Sequence, residues 1–469
     1  MKRTKGLAAV IAAGALLIAA CSDDKTTQTV TSPSTGETTA VETTVATGET
    51  TVETVADTTP VTDPPAEGWM VDTEACVDPD AANAPIEGTI KIGSAMPLSG
   101  GAAAAAFAPV KDGYEAYINY ANENGLLGDI AIEIAIEDDQ FNAELTPGAV
   151  SKLIDTGVHI FSGIIGTANN AAVRGTLNDN CIPQLANLTG SPAWGDVADY
   201  PWTTGQLAPY TVESKIYAAQ IAEQFPDGAT VSLFHVNNEF GQVYVDAFTE
   251  IADEFGITIV SEETIEATDL APPVAQITNI AAQAPDVIMA VPLGAQCISF
   301  LTEVANAKAA NSGWAPAVFL TNTCASSLIL GASGPSADGL YTSSNLIDVV
   351  DPANAEIPEV AEYLAVMAAA GKAEVAATAV AGWTTAETTV AILIQAAASP
   401  AGLTQASIIN AARNFNYEPT LGLDGVVFKM NGEEDPFMAE SLVVRQYAVA
   451  ADGSGTFTDV GELITEFES

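Results

Sequence analysis

The chain has 469 residues, with 60 acidic side chains against 14 lysines and arginines and a formal net charge of −46 at pH 7. So negative a body excludes nucleic acid and an anionic membrane surface as natural partners, since both repel it. Hydrophobic residues make up 48% of the sequence, enough for substantial cores, and the length suits two ordinary domains behind a leader.

Lys2, Arg3 and Lys5 precede an apolar run from Leu7 to Ala20 broken only by Gly14. The run is too short to span a bilayer comfortably, so residues 1–20 read as a signal peptide. Ile18-Ala19-Ala20-Cys21 resembles a bacterial lipobox. That resemblance implies cleavage before Cys21, lipidation of its thiol, and anchoring on the extracytoplasmic side of the bacterial cell membrane. The alternative is an ordinary signal peptide with an incidental cysteine. Residues 21–68 contain no aromatic side chain and repeat Glu-Thr-Thr at Glu37, Glu42 and Glu49. Such a segment buries too little apolar surface to offset its ordering entropy and reads as a disordered tether.

From residue 69 onward, strand-like and helix-like stretches alternate. Thr89 to Met96 reads as a strand and Phe107 to Asn124 as a helix ending at Gly125. Ile130 to Glu137 alternates apolar and polar residues with period two, a strand with one wet face. Helix 143–155, strand 159–163, helix 168–180 and strand 182–186 follow. The pattern restarts with helix 210–224, strand 230–235, helix 241–255, strand 258–263, helix 274–284, strand 287–291, helix 296–307 and strand 317–321. This order predicts an α/β protein of two doubly wound parallel-sheet lobes. A first crossover is expected near Thr203-Thr204-Gly205. After strand 339–344, helical stretches at 357–370, 375–398 and 403–415 exceed what the second lobe needs. They predict a return to the first lobe and another crossing near Leu421 to Val427. The division is therefore 69–204 plus 345–422 for lobe 1 and 205–344 plus 423–469 for lobe 2, joined by a multi-strand hinge.

With Cys21 assigned to lipid, four of the five cysteines remain, an even set suited to an oxidising compartment. Three pairings are available. Cys297 and Cys324 follow two successive strands and should lie at one end of the same sheet, so Cys297–Cys324 is preferred, with Cys76–Cys181 by elimination. The spacing is not that of a zinc ribbon and only His159 and His235 are available to assist, so no metal and no cofactor are expected.

Ligands of open α/β sheets sit outside the carboxyl ends of the strands. The loops at issue are therefore 97–107, 166–170, 187–190, 237–241, 293–296 and 322–324, the fifth of which ends at Gln296. Several of the surrounding segments resemble the leucine/isoleucine/valine-binding family: KIGSAMPLSG at Lys91, GYEAYINYANEN at Gly113, EDDQFNAELTPGAV at Glu137, FSGIIGTANN at Phe161, HVNNEFGQVY at His235 and AGWTT at Ala381. The resemblance runs from about residue 88 to the end, and implies a type I periplasmic-binding fold serving an ABC importer. It implies a monomeric receptor that closes on a small solute and delivers it to a permease and ATPase complex. By the same resemblance Ser99 and Phe107 approach the cleft, and Thr167, Ala168 and Asn169 bind a ligand carboxylate through hydroxyl and backbone N–H groups. Asn187 offers its carbonyl, Thr189 its hydroxyl, and Phe240 the closing aromatic ring.

Two departures from that pattern matter. The acid that pairs with an amino acid's ammonium falls at Thr323, and a second aromatic falls at Ala386. A buried ammonium needs a charged partner, so a carboxylate, amide or other less cationic solute suits the pocket at least as well as an amino acid. The plain alternative for Thr167, Asn169 and Thr189 is helix and turn capping. At the level of function, the alternative is a ligand-sensing surface receptor not coupled to transport. No GxSxG elbow, P-loop or HExxH motif is present, and the Glu137-Asp138-Asp139 run reads as a solvated strand end, so no catalysis is expected.

Overall fold

The computed structural model describes residues 68–465; the leader, Cys21 and, but for Gly68, the tether expected over 21–68 lie outside the described residues. A one-turn helix α1 (Pro79–Ala82) leads to five parallel strands: β1 (Thr89–Met96), β2 (Ala131–Asp138), β3 (Ile160–Ser162), β4 (Gln184–Asn187) and β5 (Thr203–Gly205). Helices α2 (Gly101–Glu123), α3 (Thr146–Asp155) and α4 (Thr167–Asp179) connect them, and the strand order is β2-β1-β3-β4-β5. The period-two reading of β2 holds. Ile132 is buried and Ile134 and Ile136 are half-buried on one face of this edge strand, whereas Ala131, Glu133 and Ala135 on the other are exposed.

A second unit repeats the plan. Helices α5 (Tyr210–Gln224), α6 (Glu239–Ala252), α7 (Val274–Gln283), α8 (Ala295–Ala310) and α9 (Ser327–Ser333) alternate with β6 (Ala229–Val236), β7 (Ile257–Ile265), β8 (Val287–Val291), β9 (Ala317–Leu320) and β10 (Tyr341–Ser344). The chain then forms α10 (Pro358–Ala369), α11 (Ala376–Ala397), α12 (Gln405–Arg413) and the small pair β11 (Asn416–Tyr417) and β12 (Phe428–Lys429). It ends in a hairpin, β13 (Leu442–Val449) and β14 (Gly455–Ile464), whose first strand runs antiparallel to β10. The second sheet therefore reads β14-β13-β10-β9-β8-β6-β7. In both sheets the strand order reverses beside the first strand, between β1 and β3 and between β6 and β8. Those reversals open crevices at the strands' carboxyl ends.

The late crossing differs from expectation. Leu423 N–H donates to the Asn345 carbonyl and Ile347 N–H to the Leu421 carbonyl, both at 2.9 Å, so this segment touches the outgoing hinge strand. It then turns back: Val426, Phe428, Met430, Met438 and Ala439 are buried in the first lobe's core. The crossing comes between Ala439 and Leu442, because five apolar side chains find their burial in the first lobe and none in the second. Cys76 is joined to Cys181 and Cys297 to Cys324, with Cα–Cα distances of 5.5 Å and 6.1 Å.

The first sheet is covered on both faces, by α3 and α4 on one side and by α2, α11 and α12 on the other. Among the described residues α11 is long and apolar enough to cross a membrane, but it is mostly buried as a core helix. It crosses α2 at two glycines. A Cβ on Gly113 would lie 1.9 Å from the Ala379 carbonyl oxygen, and one on Gly382 would lie 1.8 Å from that of Val110. Backbone rather than flexible side chain meets each position, so one methyl group forces the helices apart. Gly382→Ala is expected to cost ~3 kcal/mol. Gly175→Ala, whose Cβ meets nothing within 4 Å, should be neutral or gain up to about 1 kcal/mol. Urea denaturation of both variants measures the difference.

Candidate functional site

The two crevices face each other. Phe107 follows β1, Gly166 and Thr167 follow β3, Phe240 follows β6 and Leu293 follows β8, and all five line one cavity of about 210 Å³. Further parts of its wall come from Leu207 and Tyr210 at the approach to α5, from Phe141 and Leu188, and from residues 343–349 of the hinge. The lining is mainly apolar, which suits a site that takes a small organic molecule and orients it with few polar groups.

One polar end is formed by α4. Its N-cap is Gly166, at φ +102° and with no side-chain cap. A Cβ there would lie 2.6 Å from Asn169 Oδ1 and 2.8 Å from the Phe141 ring, so glycine is needed for both backbone and space. The first-turn N–H groups of a helix have no intrahelical acceptor and carry the positive end of its dipole, and here no side chain caps them. The Thr167 hydroxyl lies beside them, 2.7 Å from that of Thr189. Tyr210 completes the cluster: burial pushes its phenol up to about 12, opposed by hydrogen bonding with Gly190 and with the Thr189 and Thr167 hydroxyls.

An aromatic, neutral wall adjoins this end. The Tyr210 ring lies 5.3 Å from Phe240 and stacks on Tyr244 at 4.5 Å, and Phe107 of α2 lies 6.2 Å from Phe141, which follows β2. Behind this wall sits Glu213, fully buried. Its carboxylate accepts from Tyr217 at 2.6 Å, from Ser343 at 2.7 Å, from the Asn322 N–H at 2.8 Å and from Tyr244. Burial pushes the Glu213 carboxyl up, against the lowering effect of those donors.

Of the residues singled out from sequence, Phe107, Thr167, Phe240 and Thr323 line the cavity. The others lie outside its lining. Ser99 is exposed and donates to the Asp138 carboxylate. Ala168 is half-buried on α4. Asn169 donates to Asp139 Oδ2 and Thr146 Oγ1, each at 2.9 Å, and so fastens α4 to the end of β2. Thr189 supports Thr167 from behind. Asn187 is fully buried with neither side-chain amide atom hydrogen-bonded. Gln296 donates to the Glu266 and Asp269 carbonyls at 2.8 and 3.0 Å, holding a loop of the second lobe. Ala386, the ringless position on α11, is fully buried and outside the lining; Val380 and Ala381 face the cavity instead. Sequence reasoning missed Tyr210, Asp348 and Arg445, which reach the site only through the helix start and hinge geometry. The rarity of bases, 14 in the chain, was the one signal that could have drawn attention to Arg445.

The chain belongs to the periplasmic binding protein family, whose model matches residues 89–447. No curated protein sequence matches it. Among solved structures, a branched chain amino acid ABC transporter protein from Thermus thermophilus with bound valine is similar at 17% identity, over 81% of this chain and 97% of that chain, with a TM-score of 0.71. A solute binding protein of an ABC transporter from R. palustris, in complex with 4-hydroxybenzoate, matches at 19% identity over 81% and 97%, with a TM-score of 0.65. A fatty acid ABC transporter substrate-binding protein from Thermomonospora curvata matches at 16% identity over 81% and 93%, with a TM-score of 0.66. These likenesses establish the fold anticipated from sequence: the two-lobed α/β architecture of the type I periplasmic binding proteins.

Glu213 gives this site a pH signature. A carboxyl raised in the folded state holds its proton more tightly there than in the unfolded chain. Its contribution to stability is then fullest below the ordinary value of 4.5 and is lost as pH rises through the folded value. Glu213→Gln keeps the shape without the charge. Thermal melts of both proteins from pH 4.5 upward should show the wild type losing ground to the variant as pH rises; parallel curves would mean that Glu213 ionises normally.

Proposed function

We propose that this protein is the solute receptor of an ABC importer, exported and tethered through lipid on Cys21, acting as a monomer and without catalysis. It captures a small carboxylate or amide with an apolar body between lobes that take residues 69–204 plus 345–422 and 205–344 plus 423–469, apart from the turn-back noted above. The observation that carries this reading is the uncapped start of α4, with the Thr167 hydroxyl, opening into an apolar cleft where both sheets reverse their strand order. An anion is favoured there by the free N–H groups and the helix dipole. Valine and 4-hydroxybenzoate, bound by two of the similar structures, both carry a carboxylate.

A free amino acid fits less well. Asn322 and Thr323, which line the second lobe's side of the cleft, are neutral, and among the described residues Asp348 is the only acid in the lining. Glu213 is screened behind Tyr244 and Ser343, with its oxygens already accepting hydrogen bonds. A carboxylate without an α-ammonium leaves no buried cation unpaired.

Thermal-shift measurements on the exported chain carrying Cys21→Ser test the reading. A ligand at a hundred times its Kd should add about 2.7 kcal/mol of stability, and shifts are expected with aromatic or aliphatic carboxylates. Silence across carboxylates and amides overturns the proposal, and a preference for leucine or valine overturns the exclusion of amino acids.

The lobes meet tightly in this conformation. A Cβ on Gly294, at φ +56°, would lie 2.1 Å from the Ala102 carbonyl oxygen, so the start of α2 seats directly on the start of α8. If the ligand is held by this closed form, Gly294→Val, which blocks the contact, should weaken binding at least about tenfold. Calorimetric titration with the best ligand of the screen reads that loss; unchanged affinity would mean that closure at Gly294 is not coupled to binding.

A further inference from the structure

The same cavity is also walled by Ser327 of α9, Thr378 of α11, Asp348 of the hinge, and Arg445 and Phe457 of the terminal hairpin. Among the described residues Arg445 is the only basic side chain in the lining, and its side chain is 11% exposed. It is also held in place. Its Nε donates to Asp459 Oδ1 at 2.7 Å, its Nη1 approaches the Leu346 carbonyl at 3.5 Å, and the guanidinium lies 5.4 Å from the centre of the Phe457 ring. No acceptor among the described residues meets Nη2. Guanidinium carries five N–H donors in a rigid fork, so a fixed, largely buried cation with donors to spare faces the cavity.

The acid of the lining is already engaged. Asp348 Oδ2 accepts from Ser327 Oγ at 2.5 Å and Oδ1 from the Val350 N–H at 3.3 Å. Ser326 and Thr378 pair their hydroxyls at 3.2 Å. The unmet capacity beside Arg445 is therefore for a hydrogen-bond acceptor, and the strongest acceptor for a guanidinium fork is a carboxylate.

We propose that Arg445 binds the second carboxylate of an elongated solute, so that the receptor selects α,ω-dicarboxylates whose first carboxylate lies at the start of α4. This rests on the carboxylate reading of the α4 end given above and specifies the class of acid. The many apolar side chains of the lining suit the methylene chain of such a molecule.

Calorimetric titration of the exported chain carrying Cys21→Ser, with straight-chain monocarboxylates and α,ω-dicarboxylates of about six to ten carbons, tests the idea. A dicarboxylate of one length should bind at least about tenfold more tightly than the monocarboxylate of equal length. In Arg445→Met the dicarboxylate should lose about tenfold more affinity than the monocarboxylate does, and Arg445→Lys, which keeps the charge without the fork, should retain part of the preference. Melting curves of both variants establish that they are folded. Dicarboxylates binding no better than monocarboxylates, or a preference that survives in Arg445→Met, overturns the proposal. Monocarboxylates binding well without any diacid preference would spare the α4 reading, whereas no binding by either class sinks both.

Discussion

The crossing of α2 and α11 is the contact on which the rest of the structure depends. Each helix brings a glycine to the other's backbone, Gly113 against Ala379 and Gly382 against Val110, so the axes lie as near as a backbone allows. That fixes α2 rigidly to the first lobe over its middle turns, where Val110, Tyr114 and Tyr117 join the first core. The first turns of the same helix do something else. Ala103 and Ala106 are buried in the second lobe's core, and Ala102 meets Gly294. One rigid helix thus carries the lobe-to-lobe contact and presents Phe107 to the cleft. Small side chains at its start allow close approach of two surfaces; glycines in its middle allow close approach of two helices.

Buried polar groups hold the crossover paths. Arg413, fully buried, donates to the carbonyls of Pro201 at 3.3 Å, Tyr200 at 3.4 Å and Thr203. Burial and the nearby Arg174 push its guanidinium down to about 9. Arg174 lies 3.8 Å from the centre of the Tyr200 ring and donates to the Ala193 carbonyl at 2.8 Å. Two of the few bases in the chain are thus used to fasten the segment that leads into β5 and the first crossover. In the second lobe Glu213 plays the matching part, binding the ends of β9 and β10 through Asn322 and Ser343. Such groups are costly to bury and costly to remove, so they define the paths along which the lobes are joined.

This division of labour explains what could be read from sequence. Strand β1 at Thr89–Met96, helix α5 at Tyr210–Gln224 and strand β8 at Val287–Val291 were legible to the residue, because local periodicity and local burial agree there. Helix α9 and strand β14 were not. The first is a seven-residue helix inside a turn-rich stretch, and the second is a largely exposed edge strand whose pattern is set by pairing with β13. The return of residues 426–439 to the first core was hidden for a similar reason, since apolar residues do not announce which of two cores receives them. At the site, the loops after parallel strands were legible from topology, and within them the family resemblance picked out Phe107, Thr167 and Phe240. Asn169 and Gln296 were drawn to the site by residue type, yet each gives its amide to neighbouring oxygen atoms. Arg445 lies on the antiparallel strand β13, where the strand-end rule does not lead, and Asp348 follows β10 in the hinge, a segment read from sequence as a crossover and not as a ligand loop.

The acidity of the chain and the chemistry of its cleft have to be reconciled. A body with a formal net charge of −46 repels an anionic solute at long range, which would argue against carboxylates if the surface field decided binding. It does not decide it, because fields of exposed charges fall off over a Debye length of about 8–10 Å at physiological ionic strength, whereas the donors of the cleft act at contact distance in a low-dielectric surround. The sequence places no acid along the lining apart from Asp348, and that one is occupied by Ser327 and a backbone N–H. Buried acids such as Glu213 aside, the acids of the described residues are carried outside the wall, where exposed ones favour solubility. A mainly apolar cavity whose lining includes an uncapped helix start and a held guanidinium is therefore a local departure from the protein's overall charge, and salt that screens the surface leaves both donors in place.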